Sequence, residues 1–274
     1  MGRDAARAQG MTEPRVSDLF DLSGRVAVVT GGAGLLGRRH LSILSAAGAT
    51  AVNLDVTELT DFASIVTDIT DEDSVIRASN RLFDEFGHVD ILVNNAARNP
   101  KIEGPDSASW SRFESFSRAE WDMDIAVGLT GAFLVSQAIG TKMAERGRGT
   151  ILNVCSDLAV IAPDQRLYQL PGRMESDQPV KPVSYSVVKH GLLGLTRYLA
   201  TYWAQSGIRV NAISPGGVEN DQNPDFVARI RQLIPLDRMA KIDEYEGAVL
   251  FCCSDASSYM TGHNLIIDGG RSCW

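Results

Sequence analysis

The stretch that decides the fold is Val26-Ala27-Val28-Val29-Thr30-Gly31-Gly32-Ala33-Gly34-Leu35-Leu36-Gly37. Its apolar run predicts a buried strand, its glycines predict a tight turn, and the segment from Leu35 to about Ala47 predicts a helix. The glycines from Gly32 to Gly37 match the pattern G-x-G-x-x-G. Such glycines let a pyrophosphate approach the backbone, and the helix N-terminus attracts its charge. The stretch therefore predicts a dinucleotide-binding turn.

The next predicted strand, from Thr50 to Leu54, ends on a carboxylate, Asp55. A carboxylate at this place accepts hydrogen bonds from the ribose hydroxyls of an adenosine and repels a 2′-phosphate. The sequence therefore favours NAD(H) over NADP(H), although Arg38 and Arg39 lie near the turn. In the alternative interpretation Asp55 only ends a strand and the glycines only form a turn.

Apolar strands alternate with helices along the rest of the chain. Further strands are predicted at 64–66, 89–93, 150–154, 208–213 and 264–267, and further helices at 71–86, 118–146, 183–206 and 243–253. This alternation predicts a parallel sheet with helices on both faces. We expect an α/β fold, in which residues 21–274 form a single doubly wound Rossmann domain with a seven-stranded parallel sheet. A flexible leader is expected at residues 1–20.

Composition excludes several classes of partner. The chain has 274 residues and a net charge of -8, which disfavours general binding to nucleic acid or to anionic membranes. No stretch is apolar for long enough to predict a bilayer span. The four cysteines and four histidines lack metal-ligand spacing, so no metal is expected. Reduced thiols and the absence of an apolar signal core predict a cytoplasmic protein.

Tyr185 and Lys189 are four residues apart within a predicted helix. This spacing places a phenol and an ammonium on one helix face. A nearby ammonium favours the phenolate, so it lowers a phenol pKa from about 10 toward the range of a general acid or base. A surface tyrosine packed on a lysine stem is the alternative interpretation.

With the glycine turn before it, this pair makes the chain resemble the short-chain dehydrogenase/reductase family over about residues 22 to 270. Other segments that match the family are Asp68, Asn94-Asn95-Ala96-Ala97, Ser156, Pro215-Gly216, Tyr259-Met260-Thr261-Gly262 and Asp268-Gly269-Gly270. The resemblance implies an NAD(H)-dependent oxidoreductase that interconverts a secondary alcohol and a ketone. It also implies a homo-oligomer, either a tetramer or a dimer, and the C-terminal residues 271–274 are expected to reach a neighbouring subunit.

The resemblance implies roles for three catalytic residues. Tyr185 is the expected acid/base, Ser156 orients the substrate oxygen, and Lys189 binds the nicotinamide ribose and lowers the pKa of Tyr185. The cofactor-binding residues implied by the resemblance are Gly31, Gly34, Leu35, Leu36, Gly37, Asp55, Asp68, Ile69, Asn95, Ala96, Tyr185, Lys189, Pro215, Gly216 and Val218.

Two positions depart from the family pattern. The middle glycine of the turn is Gly34, one place earlier than usual, and Leu35 stands where the family has glycine. The glycine turn is still expected to bind phosphate. Gly128 stands where the family often has an asparagine that relays protons to the lysine. We expect a water or a backbone carbonyl to replace that side chain.

A third departure concerns the substrate. Ser156 and Tyr185 are 29 residues apart, about twice the family's commoner spacing, so an insertion near 157–183 is expected to wall the substrate pocket. Its polar residues favour a hydroxyl-rich or phosphorylated ligand, with Asp157, Arg166 and Tyr168 as candidate contacts. A solvated surface loop is the alternative interpretation. The insertion and the stretch after it also resemble enzymes of nucleotide-activated sugar and surface-glycan biosynthesis.

The leading prediction of function is an NAD(H)-dependent oxidoreductase that acts on a polar small molecule, such as a sugar, polyol or nucleotide sugar. One alternative is a simple polyol or sugar-acid dehydrogenase. Another is a non-catalytic NAD-binding sensor or scaffold, which Gly128 supports. The presence of Ser156, Tyr185 and Lys189 counts against the sensor.

Overall fold

The computed structural model describes residues 15–102 and 106–274. Within these ranges the strands are β1 (Val26–Thr30), β2 (Thr50–Asp55), β3 (Ala63–Val66), β4 (Ile91–Asn94), β5 (Gly149–Val154), β6 (Ile208–Pro215) and β7 (Asn264–Ile267). The helices are α1 (Val16–Phe20), α2 (Leu35–Ala46), α3 (Glu72–Phe86), α4 (Ser107–Ser111), α5 (Arg118–Ile125), α6 (Gly131–Arg146), α7 (Val183–Tyr202), α8 (Pro224–Arg231) and α9 (Glu246–Cys253).

The described strands form one seven-stranded sheet in the order β3-β2-β1-β4-β5-β6-β7. Every neighbouring pair is parallel. The order reverses between β1 and β4, so the chain crosses from one half of the sheet to the other at that point. The carboxyl ends of the strands open into a crevice there. The predicted doubly wound fold is confirmed.

Two apolar layers cover the two faces of the sheet, because alternate residues of a strand point to opposite faces. On one face Val26 and Val28 pack with residues of α3, α6 and α7, including Leu82 and Val135. On the other face Ala27 and Val29 pack with residues of α2 and α9. The predicted covering of both faces is therefore confirmed.

The predicted helix at 118–146 is divided by a π-helical turn at Ala126–Thr130, between α5 and α6. By length and composition this continuous segment could cross a bilayer. Its residues Val135, Ile139 and Met143 are buried against the sheet, as in the core helix of a globular protein.

The predicted leader is described only from residue 15. Residues Val16–Phe20 form the short helix α1, so this part of the leader is folded. The remainder of the leader, residues 1–14, lies outside the described residues.

Candidate active site

A cavity of about 740 Å³ runs along the carboxyl ends of the central strands. One end is lined by the glycine turn and Asp55, and the other by Ser156, Tyr185 and Lys189. Of the expected cofactor contacts, the cavity is lined by Gly31, Gly34, Leu35, Leu36, Asp55, Asp68, Ile69, Asn95, Ala96, Tyr185, Lys189, Pro215, Gly216 and Val218. The fold therefore brings together residues that lie far apart in the sequence.

Close packing explains the glycines of the turn. A Cβ atom at Gly37 would lie 2.1 Å from the carbonyl oxygen of Gly31, so Gly37 supports the turn from beneath and does not line the cavity. Gly31 has a φ of +64°, which favours glycine. The Asn95 amide donates hydrogen bonds to the carbonyl oxygens of Thr30 and Gly31, both at 3.0 Å. The turn is therefore fixed before any ligand binds.

Gly34 is the N-cap residue of α2, and the helix begins at Leu35. A helix leaves its first N–H groups without intrahelical acceptors, so these donors are available to a phosphate at the cavity wall. The shifted glycine pattern thus still forms a helix N-terminus beside the cavity. These features fit the pyrophosphate of a dinucleotide.

The far end of the cavity is acidic. Asp55 ends β2, and its carboxylate accepts hydrogen bonds from the N–H groups of Ala33 and Thr57 at 3.1 and 2.9 Å. Arg38 pairs with Asp61 at 3.3 Å, and Arg39 pairs with Glu246 at 2.5 Å. Arg38 and Arg39, which lie near the glycine turn, therefore both pair with carboxylates other than Asp55.

The three expected catalytic residues meet at the opposite end of the cavity. Ser156 follows β5, whereas Tyr185 and Lys189 lie on α7. The buried ammonium of Lys189 donates a hydrogen bond to the carbonyl oxygen of Val154 at 2.8 Å and lies 5.8 Å from the centre of the Tyr185 ring. Burial lowers the pKa of Lys189.

The ionisation of Tyr185 differs from the expectation. Burial raises the pKa of this phenol to about 12, while a hydrogen bond with Ser156 acts in the opposite direction. The expected lowering of the pKa was wrong, because desolvation of the phenolate outweighs the hydrogen bond with Ser156. Tyr185 is therefore a phenol at neutral pH.

Asp157 lines the cavity, and both of its carboxylate oxygens have partners within the protein. One carboxylate oxygen accepts the Ser156 hydroxyl at 2.8 Å, and the other accepts Nη1 of Arg271 at 2.6 Å. Asp157 and Arg271 are both buried. Both oxygens of Asp157 therefore already have partners, and binding of a sugar hydroxyl by Asp157 stays a prediction. In the structure, Asp157 fixes the Ser156 hydroxyl.

Arg271 is a residue of this site that the sequence did not indicate. It was expected to reach a neighbouring subunit with the rest of the C-terminal segment, but its side chain points inward to Asp157. These two residues are 114 positions apart, so no local pattern connects them.

Of the other two candidate substrate contacts, Tyr168 lines the cavity and Arg166 does not. Tyr168 lines the cavity, and its ring centre lies 5.6 Å from that of Phe226 on α8. The side chain of Arg166 is 79% exposed, pairs with Asp164 and does not line the cavity. Predicting Arg166 as a substrate contact was therefore wrong, because the carboxylate two residues before it holds the guanidinium on the surface.

The insertion is packed against α8 and is not a solvated loop throughout. Its Leu167 lies in an apolar cluster with Ile230, Ile234 and Met239. Asp157, Leu158, Tyr168 and Lys181 from the insertion line the cavity. The expected wall of the pocket is thus present in the structure.

Lys181 is one of the polar residues of the insertion, and its contact with Tyr185 was not predicted from the sequence. Its ammonium lies 3.9 Å from the centre of the Tyr185 ring and donates a hydrogen bond to Asn99 Oδ1 at 2.6 Å. Lys181 precedes Tyr185 by four residues, as Lys189 follows it by four. Lys181 lies before α7, which begins at Val183, so the helical spacing that relates Lys189 to Tyr185 does not apply to it.

Gly128 lies within the π-helical turn, against α7. A Cβ atom at this position would be 2.5 Å from Cγ1 of Val188. The space that a side chain would need is therefore filled by Val188. Among the described residues, no group of three or more His, Cys, Asp or Glu side chains is placed to hold a metal ion.

Two family models match the chain. The model described as short chain dehydrogenase matches residues 25–168, and the model described as enoyl-(acyl carrier protein) reductase matches residues 175–272. The D-threitol dehydrogenase of Mycolicibacterium smegmatis is 34% identical over 270 residues, which cover 92% of this chain and 94% of that protein.

Solved structures are similar over nearly the whole chain. A gluconate 5-dehydrogenase from Burkholderia cenocepacia, in complex with NADP and tartrate, has a TM-score of 0.82 and 27% identity, covering 95% of this chain and all of that one. A short chain dehydrogenase from Leptospira borgpetersenii with bound NAD+ has a TM-score of 0.83 and 31% identity, covering 96% and 98%.

Proposed function

The chain belongs to the short-chain dehydrogenase family and is an oxidoreductase acting on CH–OH groups, and on that basis we propose an NAD(H)-dependent dehydrogenase of a polyol or sugar acid. The observation that carries this proposal is the pair Ser156 and Tyr185 at one end of a cavity whose other end holds Asp55. A hydroxyl-bearing carbon beside the phenol would lie within reach of a nicotinamide bound along that cavity.

The nicotinamide ring supplies or accepts the hydride when it is bound. Tyr185 gives the proton to the substrate oxygen during reduction and takes it during oxidation. Ser156 holds that oxygen against the phenol once its hydroxyl proton turns from Asp157, to which it donates in the structure. Lys189, anchored on the carbonyl oxygen of Val154, is placed to bind the nicotinamide ribose. Ser156, Asp157 and Lys189 are buried, which limits the contact of these three side chains with water.

Preference for NAD(H) is supported by charges at the adenosine end. Asp55 and Asp68 are the charged residues that line this end among the described residues, and both are acidic. A 2′-phosphate beside Asp55 would meet a negative charge without a cation to compensate it. Arg38 and Arg39, the nearest guanidinium groups along the chain, are paired elsewhere.

A polar substrate is supported by the wall of the catalytic end. Asn99, Tyr168, Lys181 and Gln222 bring an amide, a phenol, an ammonium and a second amide to the cavity. These groups recognise hydroxyl and carboxylate oxygens. A threitol dehydrogenase and a gluconate 5-dehydrogenase among the similar proteins agree with this class.

The proposal also includes a homo-oligomeric assembly and a cytoplasmic location. Tyr198 and Tyr202 of α7 are exposed and stack with ring centres 5.7 Å apart, an aromatic surface suited to a second copy of the chain. We therefore expect a homo-oligomer, measured by light scattering coupled to size-exclusion chromatography. The free thiols of Cys155, Cys252 and Cys253 agree with a reducing, cytoplasmic location.

The test is a turnover assay that follows the absorbance of the reduced nicotinamide. Alditols, aldonates, free sugars and nucleotide sugars are each offered with NAD and with NADP, in both reaction directions. We expect turnover with NAD on alditols or aldonates. Turnover restricted to nucleotide sugars would contradict the substrate proposal, and cofactor binding without any turnover would favour a sensor.

A further inference from the structure

The catalytic end of the cavity holds more positive than negative charge. Among the described residues, its charged lining consists of Lys101, Lys181, Lys189, Arg271 and a single carboxylate, Asp157. Arg271 and Asp157 neutralise each other as a buried ion pair. Three ammonium groups therefore remain without a compensating carboxylate in the lining.

Lys189 and Lys101 are less suited than Lys181 to recognise a substrate. Lys189 is buried and bonded to the carbonyl oxygen of Val154, and we assigned it to the cofactor ribose above. Lys101 is exposed, and its ammonium lies 3.5 Å from the carbonyl oxygen of Asn220. Lys101 adds positive charge near the entrance, whereas Lys181 lies directly against the catalytic phenol.

Lys181 is held at a fixed place by three contacts. Its backbone N–H donates to Gln165 Oε1 at 2.8 Å. Its ammonium donates to Asn99 Oδ1 at 2.6 Å and lies over the Tyr185 ring at 3.9 Å. Asn99 and Tyr185 are both neutral partners, and no carboxylate lies within 4.0 Å of this ammonium in the part of the chain that the structure describes.

An ammonium in this setting gains more from an anion than an exposed lysine does. It is partly desolvated, since burial lowers the pKa of Lys181 to about 8. At neutral pH it remains mostly protonated, because that value is above 7. A carboxylate that reaches it replaces lost hydration with a charge-assisted hydrogen bond.

We infer that Lys181 is a specificity-determining residue that binds the carboxylate of the substrate, so that the enzyme acts on hydroxy acids of the aldonate type in preference to neutral polyols. This inference rests on the proposed function. The Lys181 ammonium lies over the same ring that bears the catalytic hydroxyl of Tyr185. A substrate that reaches both groups therefore has its carboxylate and its oxidised carbon in one short chain. The remote phosphates of a nucleotide sugar do not meet that requirement.

The test compares aldonates with their matched alditols, such as D-gluconate with D-glucitol, at neutral pH and saturating NAD. For the wild type we expect a higher kcat/KM on aldonates. In Lys181→Met, a neutral side chain of similar length, kcat/KM on aldonates falls about thirtyfold through KM, the loss expected for one charge-assisted hydrogen bond. The alditol values change less than threefold. Lys181→Arg keeps the charge and retains part of the preference.

The chain offers a matched control in Lys142 of α6. Its ammonium also donates to an asparagine, Asn80 Oδ1 at 2.9 Å, and lies over an aromatic ring, Phe83, at 4.7 Å. Lys142 does not line the cavity. Lys142→Met should leave the kinetic constants for both substrate classes unchanged.

The outcomes separate this inference from the proposed function. Equal losses on aldonates and alditols in Lys181→Met, or a wild type that prefers alditols, would overturn the inference while the dehydrogenase stands. A preference for sugar phosphates over aldonates would also overturn it. If no substrate turns over, the proposed function fails, and titration calorimetry of D-gluconate into the enzyme with bound NAD still decides the inference. Binding that Lys181→Met does not weaken would refute it.

Discussion

The two ends of the cavity carry opposite charge. The adenosine end has Asp55 and Asp68, whereas the catalytic end has three lysines beyond its neutralised Arg271–Asp157 pair. The acidic end is built by strand ends and the turns beside them, with backbone N–H groups bound to its carboxylates. The cationic end is assembled from segments far apart in the chain. The contrast predicts that cofactor choice and substrate choice are set by separate, independently variable sets of residues.

The largest expected effect comes from Tyr185→Phe, which removes the proton donor from the cationic end and retains the ring under Lys181. We expect kcat/KM to fall about a thousandfold, since general acid–base catalysis contributes on this scale. NADH binding, measured by fluorescence, should stay near the wild-type value, because the adenosine end is unchanged. Activity within tenfold of the wild type would remove Tyr185 from its proposed role.

Asp157→Asn removes the carboxylate of the buried ion pair between Asp157 and Arg271 at the cationic end. It leaves the buried Arg271 guanidinium without a counter-charge, so we expect the free energy of unfolding to fall by about 3 kcal/mol, measured in urea. Adding Arg271→Met should restore much of this loss, because the unpaired charge is then removed as well. An unchanged stability in the single variant would show that the pair is solvated in solution.

Asp55→Asn tests the acidic end by removing its charge. The amide keeps one oxygen acceptor, enough for the N–H group of Ala33 or of Thr57 but not both, because each binds a different carboxylate oxygen of Asp55. We expect the ratio of kcat/KM for NAD to that for NADP to fall about tenfold, because repulsion of a 2′-phosphate is relieved. The preference for aldonates over alditols should not change. A ratio that stays constant would mean that other groups select the cofactor.

The smallest expected effect is a pH dependence of the cationic end. Burial lowers the Lys181 pKa from 10.5 to about 8, while Asp157 and Asp124 favour its charge and Lys189 opposes it. The ammonium is present below that pH and is lost above it, so KM for an aldonate should rise about fivefold between about pH 8 and about pH 9. An alditol, measured in parallel, should lack this rise, and Lys181→Met should abolish it.

Local patterns predicted the parts of the site that depend on neighbouring residues. The strand, turn and helix around Gly31 form as expected, because glycine spacing and apolar runs act within a few residues. Asp55 could be placed because it ends the next strand. The predicted position of Arg166 was wrong, because an equally local bond to Asp164 holds its guanidinium on the surface.

Long-range contacts explain what could not be predicted. Arg271 reaches Asp157 across 114 positions, and Lys181 reaches Asn99 across 82 positions. Burial also reversed the expected direction of the Tyr185 pKa, which depends on the whole surrounding structure. The filling of the space beside Gly128 by Val188 likewise depends on how α7 packs against the π-helical turn.

The sequence by itself determined the doubly wound sheet and predicted the glycine turn and the acidic strand end, because periodicity and short motifs encode them directly. The set of Ser156, Tyr185 and Lys189 was predicted from the resemblance to the family. Only the tertiary structure decided which charges face each other at the catalytic end. The physical reason is that charge pairing and desolvation depend on distance in space, and four separate segments, containing residues 99–101, 157, 181 and 271, converge there only after the sheet has formed.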